Sequence, residues 1–481
     1  MQRSSNDSSE SSHVAHGTLR SPSSHQIRGP LDEGARASAS TLAPVHRLPR
    51  ELLSIICDYT IPYDWFIVDS GSRAIVFAQV CRLWRMIALA SPWIWARISL
   101  GMRDLQKRPY RDDGWKEILE TYAQRSGDYP LGLKLWPTRG IWGPVTGATV
   151  WEFVARNSHR LRALHVRLQG TLPDPRLLPQ SLPVLTTLYL GGQLSHDGRK
   201  AVLPLRSIAP VLRTLGLYHF PLSYVDVEWG NLRALIMPVG FFELNEVIPV
   251  LCRCARLEVL EIILHCVGHQ DYAYNGSYVD LPFLRKLETL GPALLLLPFL
   301  RAPLLRTAFS DLMQSPVEFW ARPSLASRLC ILPALEKYTL KDVVDFSHEI
   351  RCILRDLTHL RHLRSIQTGS VGFTCCCCNL LRALEVSDAV PVLLPALVEL
   401  EVEGEGARGF KWCPEDEEVI RRVVESRMPP AVGPGISNLQ RLRIWAPDAT
   451  FSGAFLDWLL GLQERGVTVG FMDSQQIFNS S

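Results

Sequence analysis

Cys252, Cys254, His265, Cys266 and His269 lie close together and offer the thiol and imidazole donors that zinc favours. The CxC spacing, however, falls short of the two to four residues that usually separate paired ligands. Cys252 and Cys254 close a predicted helix, whereas His265 and Cys266 end the next predicted strand. Packed thiols and loop imidazoles are therefore the expected reading. The four consecutive cysteines at 375–378 point adjacent side chains in different directions, and a packed connection there requires no metal. The run Gly404-Glu405-Gly406-Ala407-Arg408-Gly409 matches GxGxxG after a predicted strand. In a dinucleotide site the last glycine opens a helix whose N-terminus receives the pyrophosphate. Here Phe410, Lys411, Trp412, Cys413 and Pro414 intervene, which predicts an inter-repeat loop. Nucleophile-elbow, P-loop and HExxH patterns are missing, and His348-Glu349 has no second histidine at the required place. The sequence thus predicts no catalytic residue, no cofactor and no metal site, and the elements themselves become the subject.

The stretch 48–100 is the most densely patterned. Leu48, Leu52, Ile55 and Ile56 form one apolar stripe, and Pro49 suits a helix start because its missing N–H has no intrahelical partner there. Phe77, Val80, Cys81, Trp84, Ile87 and Ala88 predict a second amphipathic helix that Ser91-Pro92 stops. A third short turn then carries Trp93, Ile94 and Trp95. Three helices of this size cannot enclose so many aromatic and branched side chains, so a partner or the rest of the chain must cover some of them.

The order LPxELLxxI, VCRxWRxIA, SPxIW resembles an F-box, the helical module that docks a protein onto a Skp-type adaptor of cullin-RING ubiquitin ligases. The connection 61–73 is longer than in a compact F-box and must loop out between the first two helices. The resemblance implies an adaptor-facing or adaptor-supporting surface made by Leu48, Pro49, Leu52, Leu53, Ile56, Val80, Cys81, Trp84, Ile87 and Trp95. The segment RSGxxPLxLxL, ending at Leu135, resembles the piece that follows the F-box in many fungal F-box proteins. Such proteins usually continue into irregular leucine-rich repeats.

The remainder of the chain carries that pattern. L-x-x-L-x-L recurs at Leu161, Leu185, Leu212, Leu232 and Leu257 at intervals of 20–27 residues, and again at Leu381, Leu397 and Leu439. Looser copies begin at Leu284, Leu335 and Leu360. Helical return segments are predicted at 242–254 and 348–357. A helix at 455–462 and a strand at 467–471 are expected to cap the array. No asparagine recurs after the strands, so each turn must satisfy its backbone differently. The expected fold is α/β: a three-helix F-box at 46–100, a linker at 101–114, and an irregular horseshoe of parallel strands backed by helices at 115–472. Residues 1–45 are a disordered tail and 473–481 a second tail.

Of 481 residues, 47% are hydrophobic and 21% charged, as in globular proteins, and a formal charge of +3 predicts neither nucleic acid nor membrane as the main partner. The longest apolar run, 293–300, is too short to span a bilayer. An intracellular protein, cytoplasmic or nuclear, with reduced thiols is expected. The resemblance implies the substrate-recognition subunit of a Skp-cullin-F-box ligase that holds an unknown target protein on its repeats and catalyses nothing itself. A repeat scaffold without ligase recruitment is the alternative, and a zinc or nucleotide enzyme is a third class.

Overall fold

The computed structural model describes residues 48–59, 73–100, 112–135, 144–170, 179–194, 202–239, 244–263, 278–290, 296, 299–311, 332–341, 351, 354–355, 357–367, 377–386, 392–404, 414–430, 435–446 and 451–472. The expected tails, the connection 61–72 and most of the 101–114 linker lie outside them. The chain divides into two compact units, 1–53 and 54–481. Four helices come first: α1 (Arg50–Tyr59), α2 (Arg73–Val80), α3 (Arg82–Leu89) and the single turn α4 (Pro92–Trp95).

The expected single helix through 77–88 is broken. Cys81 is fully extended (φ −160°, ψ 177°) and serves as the N-cap of α3. Arg85 mends the junction, its Nε donating to the Ala78 carbonyl over 2.8 Å. Phe77 stacks on Trp84 at 5.5 Å across it. The break lets two short helices bury separate faces, Ala74 and Phe77 from one, Ile87 and Ala88 from the other.

Strands, some of them separated by helices, then follow. In order come β1 (Arg97–Leu100), α5 (Asp112–Ser126), β2 (Leu131–Leu135), α6 (Pro144–Arg156), β3 (Leu161–Gly170), β4 (Thr187–Leu194), α7 (Leu205–Ile208) and β5 (Thr214–Tyr218). Next are β6 (Ala234–Val239), α8 (Leu244–Leu251), β7 (Val259–Ile263), β8 (Val279–Asp280), β9 (Lys286–Leu290), β10 (Leu300–Arg301), β11 (Thr307–Asp311) and β12 (Lys337–Lys341). The path ends with β13 (His362–Gln367), α9 (Cys377–Leu384), β14 (Glu399–Gly404), α10 (Pro414–Ser426), β15 (Arg441–Trp445), α11 (Gly453–Glu464) and β16 (Thr468–Met472). Fourteen of these strands form one sheet in strict sequence order, and β8 pairs with β10 in a separate two-stranded sheet. Every pairing is parallel, the arrangement a strand-and-return repeat produces.

Because successive residues of a strand face opposite sides, lateral register sorts them into rows. One row, buried throughout most of its length, runs through Leu133, Leu164, Leu188, Leu215, Leu235, Leu260 and Leu287. Before the strands a β-turn recurs with proline at its second position. Leu185, Leu212, Leu284, Leu305, Leu335 and Leu397 each donate an N–H to the residue three back, across Pro183, Pro210, Pro282, Pro303, Pro333 and Pro395. Proline fixes φ for that turn position, and the closing leucine drops into the core. Proline thus supplies the turn regularity that asparagine does not.

Two described strands of the large sheet lie outside the expected pattern. In β11, Ala308 and Ser310 replace the two inward leucines. Ala308 is in register with the bulky Tyr338, so small beside large keeps the layer filled. Ser310 is paired through hydroxyls, to Thr289 at 3.0 Å and to Tyr338 at 3.1 Å. β1 likewise lies inside the stretch assigned to the helical module and pairs with β2. The strand expected at Leu381-Leu384-Val386 is instead α9. Leu380, Leu381 and Leu384 all reach the core from one helical face, since L-x-x-L spacing fits a helix as well as a strand. Of the 348–357 helix, only Arg351, Leu354 and Arg355 fall among the described helical residues. No helix among the described residues is long and apolar enough to cross a membrane.

Candidate functional site

The ten residues singled out for adaptor contact divide by burial. On α1, Leu52 is exposed, as are Ile55 and Tyr59, while Leu53 is fully buried and Ile56 half-buried. Leu48 is half-buried and Pro49 exposed, with the Pro49 carbonyl accepting from Leu53 N at 3.1 Å. On α2 and α3, Val80 is exposed at 58%, Cys81 and Trp84 are half-buried, and Ile87 is buried. Exposed Ile75, Val76, Met86 and Leu89, which the stripe did not include, leave these two helices with an uncovered apolar surface. The Nε1 of Trp84 is buried and has no hydrogen-bond partner among the described residues.

Trp95 behaves differently. Its side chain is 1% exposed, its Nε1 donates to the Ala88 carbonyl at 2.7 Å, and its ring meets Tyr122 of α5 edge-on at 5.2 Å. The Arg125 guanidinium lies 4.3 Å from the Trp95 ring centre. Trp95 therefore locks α3 and α4 onto α5 and, of the facing or supporting places on that surface, holds a supporting one.

The second candidate region is the sheet face opposite the leucine rows, which carries one residue per strand in lateral register. Lys134, His165, Tyr189, Gly216, Ile236, Glu261 and Glu288 follow one another from β2 to β9. A Cβ at Gly216 would stand 2.0 Å from the Tyr189 ring, so glycine is what lets that ring lie over β5. His165, Tyr189 and Tyr218 pack with ring centres 5.2–6.1 Å apart. Burial, helped by Glu261, pushes the Tyr189 hydroxyl up to about 12. Glu261 itself is raised by burial and then by Glu288 beside it, against a smaller opposing effect of Lys286. A carboxyl raised in the folded state stabilises the fold below its unfolded pKa and loses that contribution as pH rises through the folded value. Glu261→Gln is accordingly expected to raise the melting temperature at pH 7 and to converge with wild type near about pH 4. Thermal melts across pH read this directly, and a gap that stays constant with pH would contradict it.

Towards the C-terminus the same face becomes an ion-pair lattice. Glu399 accepts from Arg441 at 2.8 Å and lies 3.4 Å from Arg443 and 2.6 Å from His362 Nδ1. Arg364 reaches both Glu401 at 3.3 Å and Glu403 at 3.1 Å.

No family model matches the chain, and no curated protein matches it. The chemistry-bearing runs of the sequence are only partly in view. Cys254 is buried with its thiol 3.2 Å from the Val250 carbonyl and pushed up to about 12 by desolvation, whereas Cys252 is exposed. His265, Cys266, His269, His348 and Glu349 lie outside the described residues, as does the glycine run beyond Gly404. So do Cys375 and Cys376, whereas Cys377 and Cys378 belong to α9. No metal-binding cluster occurs among the described residues.

Proposed function

We propose that the chain is the substrate-recognition subunit of a Skp-cullin-F-box ubiquitin ligase, acting inside the cell in the cytoplasm, the nucleus or both. Its N-terminal helices would dock on a Skp-type adaptor, and the repeat array would hold a target protein for ubiquitin-dependent degradation. The observation that carries this reading is the uncovered apolar surface of α2 and α3, Val76, Val80, Met86 and Leu89, within a stretch that has the F-box order of residues. Helical faces of this kind suit a helix-in-groove contact. The role is positional, because tethering raises the effective concentration of a target lysine near a conjugating enzyme carried elsewhere in the complex.

Co-purification with a Skp-type adaptor tests it. Wild type is expected to be retained, and Leu52→Asp with Val80→Asp, both at exposed positions, is expected to lose at least about tenfold of that retention with an unchanged circular dichroism spectrum. Failure of the wild type to bind would overturn the reading. It would favour the second reading, an array whose first helices only cap its end, for which the burial of Trp95 against Tyr122 speaks.

A further inference from the structure

We propose that the N-terminal edge of the large sheet is a docking surface for an acidic, extended polypeptide segment. The residue after each turn-closing leucine donates its N–H to the same position of the preceding repeat, which makes a continuous backbone ladder along this edge. Arginine occupies six of its rungs: Arg162, Arg213, Arg233, Arg285, Arg306 and Arg361. Thr186, Glu258 and Glu336 fill the rungs between them. All six arginines are exposed. Arg233 pairs with Glu258 at 3.1 Å, and the other five have no ion-pair partner among the described residues. With a net charge of only +3 on the whole chain, this is a local concentration of cation and not a general property of its surface.

The spacing matches a peptide backbone. Neighbouring rungs are about 4.8 Å apart, and an extended chain of the polyproline II kind rises about 3.1 Å per residue with about three residues per turn, so arginines two rungs apart meet carboxylates three residues apart on one face. From Arg162 to Arg361 the ladder spans about 38 Å, the reach of about twelve extended residues. Guanidinium forks pair bidentately with carboxylates.

What stands beside the arginines selects the class of partner. Two residues before the rungs at Thr186, Arg213, Arg285 and Arg306 stand exposed Val184, Val211, Phe283 and Leu304, while Asn231, Arg256 and His359 hold the equivalent place in other turns. At the far end the turns enclose a groove of about 450 Å³ between Ala334, His359 and Ala396, with Glu336 and Arg361 on its wall. Apolar and basic positions side by side fit a polypeptide that carries apolar side chains among acidic ones. A nucleic acid fits poorly, because its phosphates recur at every nucleotide, including opposite Glu258 and Glu336, whereas a peptide can place neutral side chains there, and a single aromatic ring, Phe283, gives successive bases no stacking platform. The assignment does not depend on ligase recruitment, since the edge is available whether or not the N-terminal helices bind an adaptor.

Fluorescence anisotropy of the full chain tests it with a labelled peptide of about twelve residues carrying glutamate at every third position among leucine and serine. The acidic peptide is expected to bind, and to weaken as salt rises from about 50 to about 300 mM. Its glutamine counterpart is expected not to bind. Replacing Arg213, Arg285 and Arg306 together by glutamate is expected to weaken binding at least about tenfold, and replacing them by glutamine to weaken it in the same direction with less effect on folding. Arg382→Glu, on α9 and off the ladder, is expected to leave binding unchanged. Equal binding of the two peptides would overturn the assignment. So would equal loss in Arg382→Glu, or tighter binding of a thymidine oligonucleotide of the same charge.

Discussion

Arg427→Ala is expected to remove about 3–5 kcal/mol of stability from the C-terminal part of the array. Arg427 follows α10, is completely buried, and has no carboxylate partner among the described residues. Its guanidinium donates to the carbonyls of Leu384 at 3.1 Å, Leu393 at 2.6 Å and Leu394 at 3.1 Å. These belong to the end of α9 and to the turn entering β14, where Leu394 adopts φ +51°, a conformation disfavoured for a branched side chain. The Arg427 carbonyl in turn accepts from Leu439 just before β15. One residue therefore joins, by its side chain, the end of one return helix to the entry of β14 and, by its carbonyl, to the entry of β15. Truncation would orphan the carbonyls of Leu384 and Leu393, leave that of Leu394 with the turn bond from Leu397 alone, and open a cavity, and each orphan costs about 1–3 kcal/mol.

Burial lowers the guanidinium to about 10, so it stays protonated near neutrality, and the loss is expected to be constant over about pH 5–8. Arg427→Lys, with a point charge in place of a fork, should lose less than alanine and more than nothing. Urea denaturation followed by tryptophan fluorescence gives the magnitude. Hydrogen exchange of β14 and β15 amides locates it, and an alanine variant that unfolds at the wild-type urea concentration would show that the orphaned carbonyls find other donors.

Arg427 also shows why some of the fold was legible in the sequence and some was not. Strands that keep an inward pair of leucine with leucine, valine or isoleucine, such as β5, β3 and β15, follow from spacing alone, because a buried parallel strand presents the same kind of apolar pair in every repeat. β11 is invisible to that rule, since Ala308 and Ser310 are right only beside Tyr338, a neighbour thirty residues on. α9 was misread for a complementary reason: its leucines satisfy both periods, and tertiary context chose the helix. The turns illustrate a third case. Pro183, Pro210 and Pro282 punctuate the sequence plainly, yet their equivalence emerges only once the backbone ladder aligns them.

Exposure at the candidate site was the least legible feature. Val80 and Ile87 both belong to the expected apolar stripe, but the break at Cys81 exposes one and buries the other. Trp95 has the residue type of a contact anchor and serves instead as a clamp on α5. On the open face, lateral neighbours such as Tyr189 and Gly216 are separated by irregular loops, so no fixed period relates them in sequence.

The second large effect belongs to Arg160, at the other end of the array. Arg160 precedes β3, is buried, and donates to Asn157 Oδ1 at 2.8 Å, Ser126 Oγ at 3.0 Å and the Ala123 carbonyl at 3.1 Å, with a further bond to the Gly127 carbonyl. Ala123 and Ser126 form the last turn of α5, and Gly127 continues it at φ +52°, so the guanidinium supplies donors to carbonyls that have no intrahelical partner. Its charge also sits at the negative end of the helix. Arg160→Ala is expected to cost about 2–4 kcal/mol, and Arg160→Lys to recover only the charge–dipole part, about 0.3–1 kcal/mol.

The consequence reaches further than stability. α5 carries Tyr122 against Trp95, so a loosened C-terminal turn should raise hydrogen exchange along α5 and shift indole emission to the red, while α11 at the opposite end stays protected. That regional contrast separates loss of a helix clamp from general unfolding. Were lysine to restore wild-type exchange in α5, the charge alone would be sufficient and the forked geometry of Arg160 unnecessary.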